Sequence, residues 1–256
     1  MDFPKFNRSV IDIHSHFNHG VSGNSIDNNF QDLSISSLDF MFKDNARFGI
    51  KEVGYSTYAS VLSDKYVIEE NEYLHNLIET NDNIYQWVVI HPLIPETFEQ
   101  AKRMLSHKKV LGIKIHPSMH KYDITEQADK IFSFANQMKA CVLMHPAKIG
   151  LMPEFLKNYP NMTLIVAHIG SLEHINAVKN AAHRNIYVDT SGYLSSLNNI
   201  IEYAVNQIGS DRILFGTDTY SPAFQLSRIA FANISLEDKE NILYKNALRL
   251  FPKSFQ

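Results

Sequence analysis

The sequence predicts a single-domain α/β protein, a distorted (β/α)8 TIM barrel spanning residues 1–256. Three observations lead there. Eight short, β-branched apolar runs alternate with segments of helical period. The centres of the runs recur about every 29 residues, close to the ~30 of a strand–helix–strand unit. The length of 256 residues suits one such barrel, which takes roughly 250.

The runs, in order, begin with Val10-Ile11-Asp12-Ile13-His14, Ile50-Lys51-Glu52-Val53-Gly54-Tyr55 and Tyr85-Gln86-Trp87-Val88-Val89-Ile90. Val110-Leu111-Gly112-Ile113-Lys114-Ile115, Cys141-Val142-Leu143-Met144 and Met162-Thr163-Leu164-Ile165-Val166-Ala167 follow. Ile186-Tyr187-Val188-Asp189 and Arg212-Ile213-Leu214-Phe215 complete the set. Near-continuous apolar strands of this kind belong to parallel sheets covered on both faces. Between them, Phe98, Ala101, Met104 and Leu105 form one helical stripe. Ile131, Phe134, Ala135 and Met138 form a second, and Leu197, Ile200, Ile201, Ala204 and Val205 a third. Ser235 with Asp238 three residues on resembles a capping box. An open doubly wound sheet would carry a glycine-rich turn after its first strand. That turn here reads His14-Ser15-His16-Phe17.

Composition narrows the function. Lys and Arg number 24 against 27 Asp and Glu, a formal charge of −3, so there is no basic surplus to track phosphates and nucleic acid is not an expected partner. No apolar run approaches the ~20 residues of a membrane span. Met1-Asp2-Phe3-Pro4-Lys5 lacks a signal pattern. Cys141 is the only cysteine, which excludes an internal disulfide or a cysteine-based zinc cluster. The expectation is a cytoplasmic protein acting on a small molecule, with homo-oligomerisation left open.

The histidines carry the chemistry. Of 12 in the chain, His14, His16, His91, His116, His145 and His168 fall at strand ends, where barrel active sites are built. Asp218 follows the eighth run. His14 and His16 are two apart on a strand, so they share a face, about 6.6 Å apart along the backbone. Two imidazoles so placed can converge on one ion. A solvated or core pair is the plain alternative; the company of His145, His168 and Asp218 favours the metal.

At this point the chain resembles the amidohydrolase superfamily, and within it the amidohydrolase-2 branch of hydrolases and non-oxidative decarboxylases. Five segments carry the resemblance: Ile11-Asp12-Ile13-His14-Ser15-His16, Gly112-Ile113-Lys114-Ile115-His116-Pro117, Met144-His145-Pro146, Ala167-His168-Ile169-Gly170 and Gly216-Thr217-Asp218. The tail Asn246-Ala247-Leu248-Arg249-Leu250-Phe251 resembles the family's closing helix. The resemblance implies that His14, His16, His145 and Asp218 are metal ligands. His168 would be a catalytic histidine or a ligand to a second ion. In two-metal relatives a lysine at the end of the fourth strand is carbamylated and bridges the ions. Lys114 stands there; it could equally bind a substrate anion or snorkel. His116 is a pocket or loop-capping residue, and Tyr193 a substrate contact or an exposed aromatic. His91 reads as a hydrogen-bonded core residue. His19, His75, His107, His120, His174 and His183 read as surface or loop residues.

The leading expectation is hydrolysis of a small amide, lactam, lactone or ester by a metal-activated water. The cofactor is one divalent ion, expected to be zinc, with a second ion as the open alternative. Asp218 would move the proton and His168 would polarise the carbonyl. Non-oxidative decarboxylation of a small carboxylic acid on the same site is the first alternative. A non-catalytic metal-binding barrel is the second. None of the seven arginines falls at a predicted strand end, although Arg47 and Arg228 could reach in. Specificity is expected in the loops, above all in the Asn18–Leu38 stretch with Phe30, read as a lid or pocket wall.

Overall fold

The computed structural model describes residues 5–19 and 35–255. Most of the expected lid stretch, including Phe30, lies outside the described residues. Eight parallel strands follow chain order around one sheet. They are β1 (Val10–Phe17), β2 (Ile50–Thr57), β3 (Ile84–Val89), β4 (Val110–Ile115), β5 (Cys141–Met144), β6 (Thr163–Val166), β7 (Ile186–Asp189) and β8 (Ile213–Leu214). Each coincides with one of the eight apolar runs. Apolar side chains on both faces of these strands are buried, so a helix must cover the outer face. This is the expected distorted (β/α)8 barrel.

The distortion sits where the barrel closes. β8 is only two residues long, and no regular ladder joins it to β1. Closure runs instead through Ile13 N–H to Phe215 O (3.0 Å), Thr217 N–H to His14 O (3.0 Å) and Asp218 N–H to His14 O (2.7 Å). β1 is longer than expected and continues through Phe17. Its register against β2 slips between Asp12 and Ser15. Irregularities of that kind re-aim side chains beside active sites.

The covering helices are α1 (Leu38–Arg47), α2 (Tyr58–Leu62), α3 (Val67–Thr80), α4 (Pro95–Met104), α5 (Ile124–Met138), α6 (Met152–Leu156), α7 (Leu172–Asn180), α8 (Ile200–Ile208), α9 (Pro222–Ala230), α10 (Leu236–Glu240) and, after a π-helical turn, α11 (Asn246–Leu250). Pro95 starts α4 where its missing N–H costs nothing, and the Asp123 side chain caps α5 by accepting from Thr125 N–H. Ala101 and Met104 on α4, and Ile131 and Ala135 on α5, are buried as their spacing requires. The Ser235–Asp238 capping box is present in both directions.

Two expectations fail. Leu197 lies before α8 and is 47% exposed, because the chain reaches the helix through Asn199 in a left-handed conformation. His120, in a loop, and His174, on α7, are buried rather than exposed. Each is placed by a ring N–H donated to a carbonyl, His120 to Ser60 O at 3.0 Å and His174 to Ala167 O at 3.1 Å. His91 is the buried, hydrogen-bonded residue expected, with its ring 3.2 Å from His120 O. No helix among the described residues is long and apolar enough to cross a membrane.

Candidate metal and catalytic site

The strand ends bring the chemistry to one mouth of the barrel. β1 carries His14 and His16, β4 carries Lys114, and β7 ends in Asp189. His116, His145, His168 and Asp218 stand just beyond β4, β5, β6 and β8. His168 (φ 64°) and Asp218 (φ 60°) adopt left-handed backbone. This conformation is uncommon outside glycine and concentrates at functional sites.

Hydrogen bonds fix both β1 rings. His14 Nδ1–H donates to Asp189 Oδ2 at 2.8 Å. His16 Nδ1–H donates to Ser56 O at 3.0 Å. Both rings therefore turn Nε2, with its lone pair, toward the centre, and the two Nε2 atoms lie 3.3 Å apart. Asp218 Oδ1 stands 3.5 Å from His16 Nε2. The ligand atoms of His14, His16 and Asp218 all lie within 4.8 Å of one another. Burial, followed by the nearby Lys114 ammonium, pulls the His14 ring down to about 4 and the His16 ring well below its ordinary range. Both are neutral at pH 7, as ligation requires.

The structure sets His145 next to this trio rather than within it. Its Nδ1 is 3.3 Å from His168 Nε2, and its ring stacks on His116 at 3.9 Å. His168 is anchored by Nδ1, 2.8 Å from Ser191 Oγ. Its Nε2 faces Asp218 Oδ2 at 3.9 Å. Lys114 is fully buried, with Nζ 2.7 Å from His14 Nε2. Burial pulls its ammonium down to about 8, against the opposing pull of Asp218 and Asp189. Two hollows of about 250 and 320 Å³ share His145, His168, Asp218 and Tyr220. Tyr193 lines the first; Lys114 and His116 line the second.

Sequence reasoning gave no role to the residues behind the candidate ligands. Asp189 accepts from the His168 N–H (3.0 Å) and Ser191 N–H (2.9 Å) as well as from His14. Burial alone would raise its carboxyl, but the His14 ring, the nearby His168 ring and the Ser191 hydroxyl hold it below the usual carboxylate range. Its Oδ1 takes up the donors from His168 and Ser191 while its Oδ2 orients His14. With His14 and His168 it also forms a second group of ligand atoms within 4.8 Å of one another. Asp12 accepts from His14 N–H (3.0 Å), Thr217 N–H (3.2 Å) and Thr217 Oγ1–H (2.6 Å), tying β1 to the turn that presents Asp218. The available signal was a carboxylate at a strand end for Asp189 and an acidic residue inside an apolar run for Asp12.

The donor set fits a divalent ion: imidazoles held neutral, their remote nitrogens engaged, and one carboxylate facing them. The amidohydrolase family model matches residues 11–253, nearly the whole chain. The chain belongs to the amidohydrolase-2 family. No curated protein matches this family member significantly by sequence. Among solved structures, a dihydroxybenzoic acid decarboxylase from Polaromonas, with bound manganese and 2-nitroresorcinol, is similar at TM-score 0.78 and 15% identity, covering 97% of this chain and 98% of that one. A 5-carboxyvanillate decarboxylase from Novosphingobium aromaticivorans, with manganese and 4-hydroxy-3-methoxy-5-nitrobenzoic acid, gives 0.75 and 15%, covering 96% of each chain. An amidohydrolase from Burkholderia multivorans with bound HEPES gives 0.68 and 14%, covering 95% and 99%. At these identities the likeness is one of fold. It nevertheless corrects the expectation of zinc, since similar structures described with a metal hold manganese. Imidazole and carboxylate donors accept several first-row divalent ions, so ligand type alone does not select zinc.

Proposed function

We propose that this amidohydrolase-2 family member is a divalent-metal-dependent, non-oxidative decarboxylase of a small ring carboxylic acid. One observation carries the reading. A ligand trio and two proton-carrying groups, Asp218 and His168, meet at the floor of hollows walled by Tyr58, Tyr193 and Tyr220. A flat ring suits those walls. The similar decarboxylase structures support the choice, and they put decarboxylation ahead of the amide, lactam, lactone or ester hydrolysis favoured by sequence alone.

In this reading His14, His16, His145 and Asp218 hold the ion, with manganese the first to test. When bound, it supplies electrostatic stabilisation of negative charge on the substrate oxygens. Lys114 and His116 hold the carboxylate end, and Tyr193 lies along the ring. Asp218, with His168 beside it, delivers a proton to the ring carbon that bears the carboxylate. The carbon–carbon bond then breaks, its electron pair restores the ring, and carbon dioxide leaves. Hydrolysis remains the second reading because the Asp218 side chain is 18% exposed, within reach of water.

The test is chelator-stripped protein reloaded with manganese and offered hydroxybenzoates beside esters, lactones and amides. Metal-dependent carbon dioxide release is the expected result. Hydrolysis without carbon dioxide release would overturn it in favour of the second reading. Stoichiometric metal binding without any turnover would leave a non-catalytic barrel.

A further inference from the structure

The hollows are poor in positive charge. Among the described residues, Lys114 is the only lysine or arginine lining either one. Its Nζ is already directed at the ligand cluster, 2.7 Å from His14 Nε2. The arginines that sequence left as candidates are engaged elsewhere: Arg47 pairs with Asp44 at 3.2 Å and Arg228 with Glu202 at 2.6 Å. Residues 1–4 and 20–34 contain no lysine or arginine. Away from the cluster the walls are Val61, Leu62 and Met119 on one side, Pro146 and Leu194 on the other. The polar groups among them, such as Ser118 and Thr219, are neutral.

One carboxylate therefore has partners at the cluster, and a second does not. A second carboxylate on a compact ring would be desolvated against these walls with neutral donors at best. Burying an ion without a countercharge is costly. An uncharged substituent of the same size carries no such penalty. Resting on the decarboxylase reading above, we infer that the substrate is a monocarboxylate whose other ring substituents are uncharged, and that compact ring dicarboxylates are rejected.

Three probes separate charge from size: 2-hydroxybenzoate, 3-carbamoyl-2-hydroxybenzoate and 2-hydroxyisophthalate. Their dissociation constants are measured by calorimetry on the manganese-loaded protein, a readout independent of turnover. The first two are expected to bind within about tenfold of each other, and the diacid about 100-fold more weakly. A diacid that binds within tenfold of the carbamoyl compound overturns the inference while leaving the decarboxylase reading intact. Equal rejection of the carbamoyl compound and the diacid overturns it too, by assigning selectivity to size. Failure of all three to bind sinks the decarboxylase reading, and the inference with it.

Discussion

The Asp189 carboxylate accepts the Nδ1–H of His14 at 2.8 Å, and that bond leaves His14 Nε2 facing His16 Nε2 at 3.3 Å. Asp189 closes β7 and His14 lies on β1, so the contact spans the seam where β8 closes the barrel. The same carboxylate accepts the backbone N–H of His168 at 3.0 Å. One buried anion thus sets the tautomer of a candidate ligand and the placement of His168.

Asp189→Asn should therefore weaken metal binding without removing a ligand. The amide can no longer accept from every donor now facing the carboxylate, and His14 loses its tautomer bias. Loss of such outer partners typically costs about 10–100-fold in metal affinity. Competition with a chelator of known affinity measures it; an unchanged dissociation constant would assign Asp189 a purely structural role.

Gly192→Ala tests the other histidine. Gly192 has φ 78°, and a Cβ there would stand 2.9 Å from His168 Nδ1. The added methyl group must displace the ring or strain the turn. Misplacement of a reacting group by about 1 Å costs up to ~100-fold in rate. The expected variant binds metal like the parent but turns over far more slowly. Parent-like turnover would show that the position of His168 is not critical.

The eight strands were legible because β-branched runs buried on both faces leave little ambiguity. His14 and His16 were legible as a pair because strand geometry alone puts them on one face. What the sequence did not reveal depends on tertiary closure. His120 and His174 read as surface or loop residues, and their burial went unread, since nothing local announces that a distant carbonyl will receive their ring N–H. Leu197 fits a helical stripe by spacing, but the turn at Asn199 begins the helix later. Asp12 looks like a break in an apolar run until Thr217 arrives from the far end of the chain. His145 stands 3.3 Å from His168, beside the trio, and its expected place among the ligands belongs to the proposed function.

Acid should destabilise the metal-free protein well before its carboxylates are neutralised. Burial holds His14 and His120 down to about 4 and His145 to about 3, and lowers His16, His116 and His174 as well. A histidine whose folded value is depressed binds fewer protons folded than unfolded. Its contribution is whole above about 6.5 and is lost as pH falls toward the folded value, at up to ~1.4 kcal/mol per pH unit. Asp12 acts in the opposite sense. Burial pushes its carboxyl up to about 8, so its contribution falls as pH rises. Six histidines outweigh one carboxyl between pH 6.5 and 5. The urea midpoint should drop steadily from pH 7 to pH 5; a flat profile would mean that these rings are not held neutral.

Asp218→Asn bears most directly on the chemistry. The backbone at Asp218 is left-handed, with its N–H donated to His14 O at 2.7 Å. Asparagine tolerates that conformation as well as aspartate does, so the turn and the barrel closure should survive. His14, His16 and His145 remain as nitrogen donors, and the amide oxygen is a weaker ligand of similar shape. The variant should therefore keep metal, less tightly. It loses the carboxylate that stands 3.5 Å from His16 Nε2 and 3.9 Å from His168 Nε2, and with it the group proposed to carry the proton. General acid–base catalysis is worth about 10²–10⁴-fold, and the fall in kcat should reach that range. Metal content and turnover must come from one preparation, so that lost metal is not mistaken for lost proton transfer. A metal-loaded variant within a few-fold of the parent would pass the proton-carrying role to His168, which lies in the same hollow.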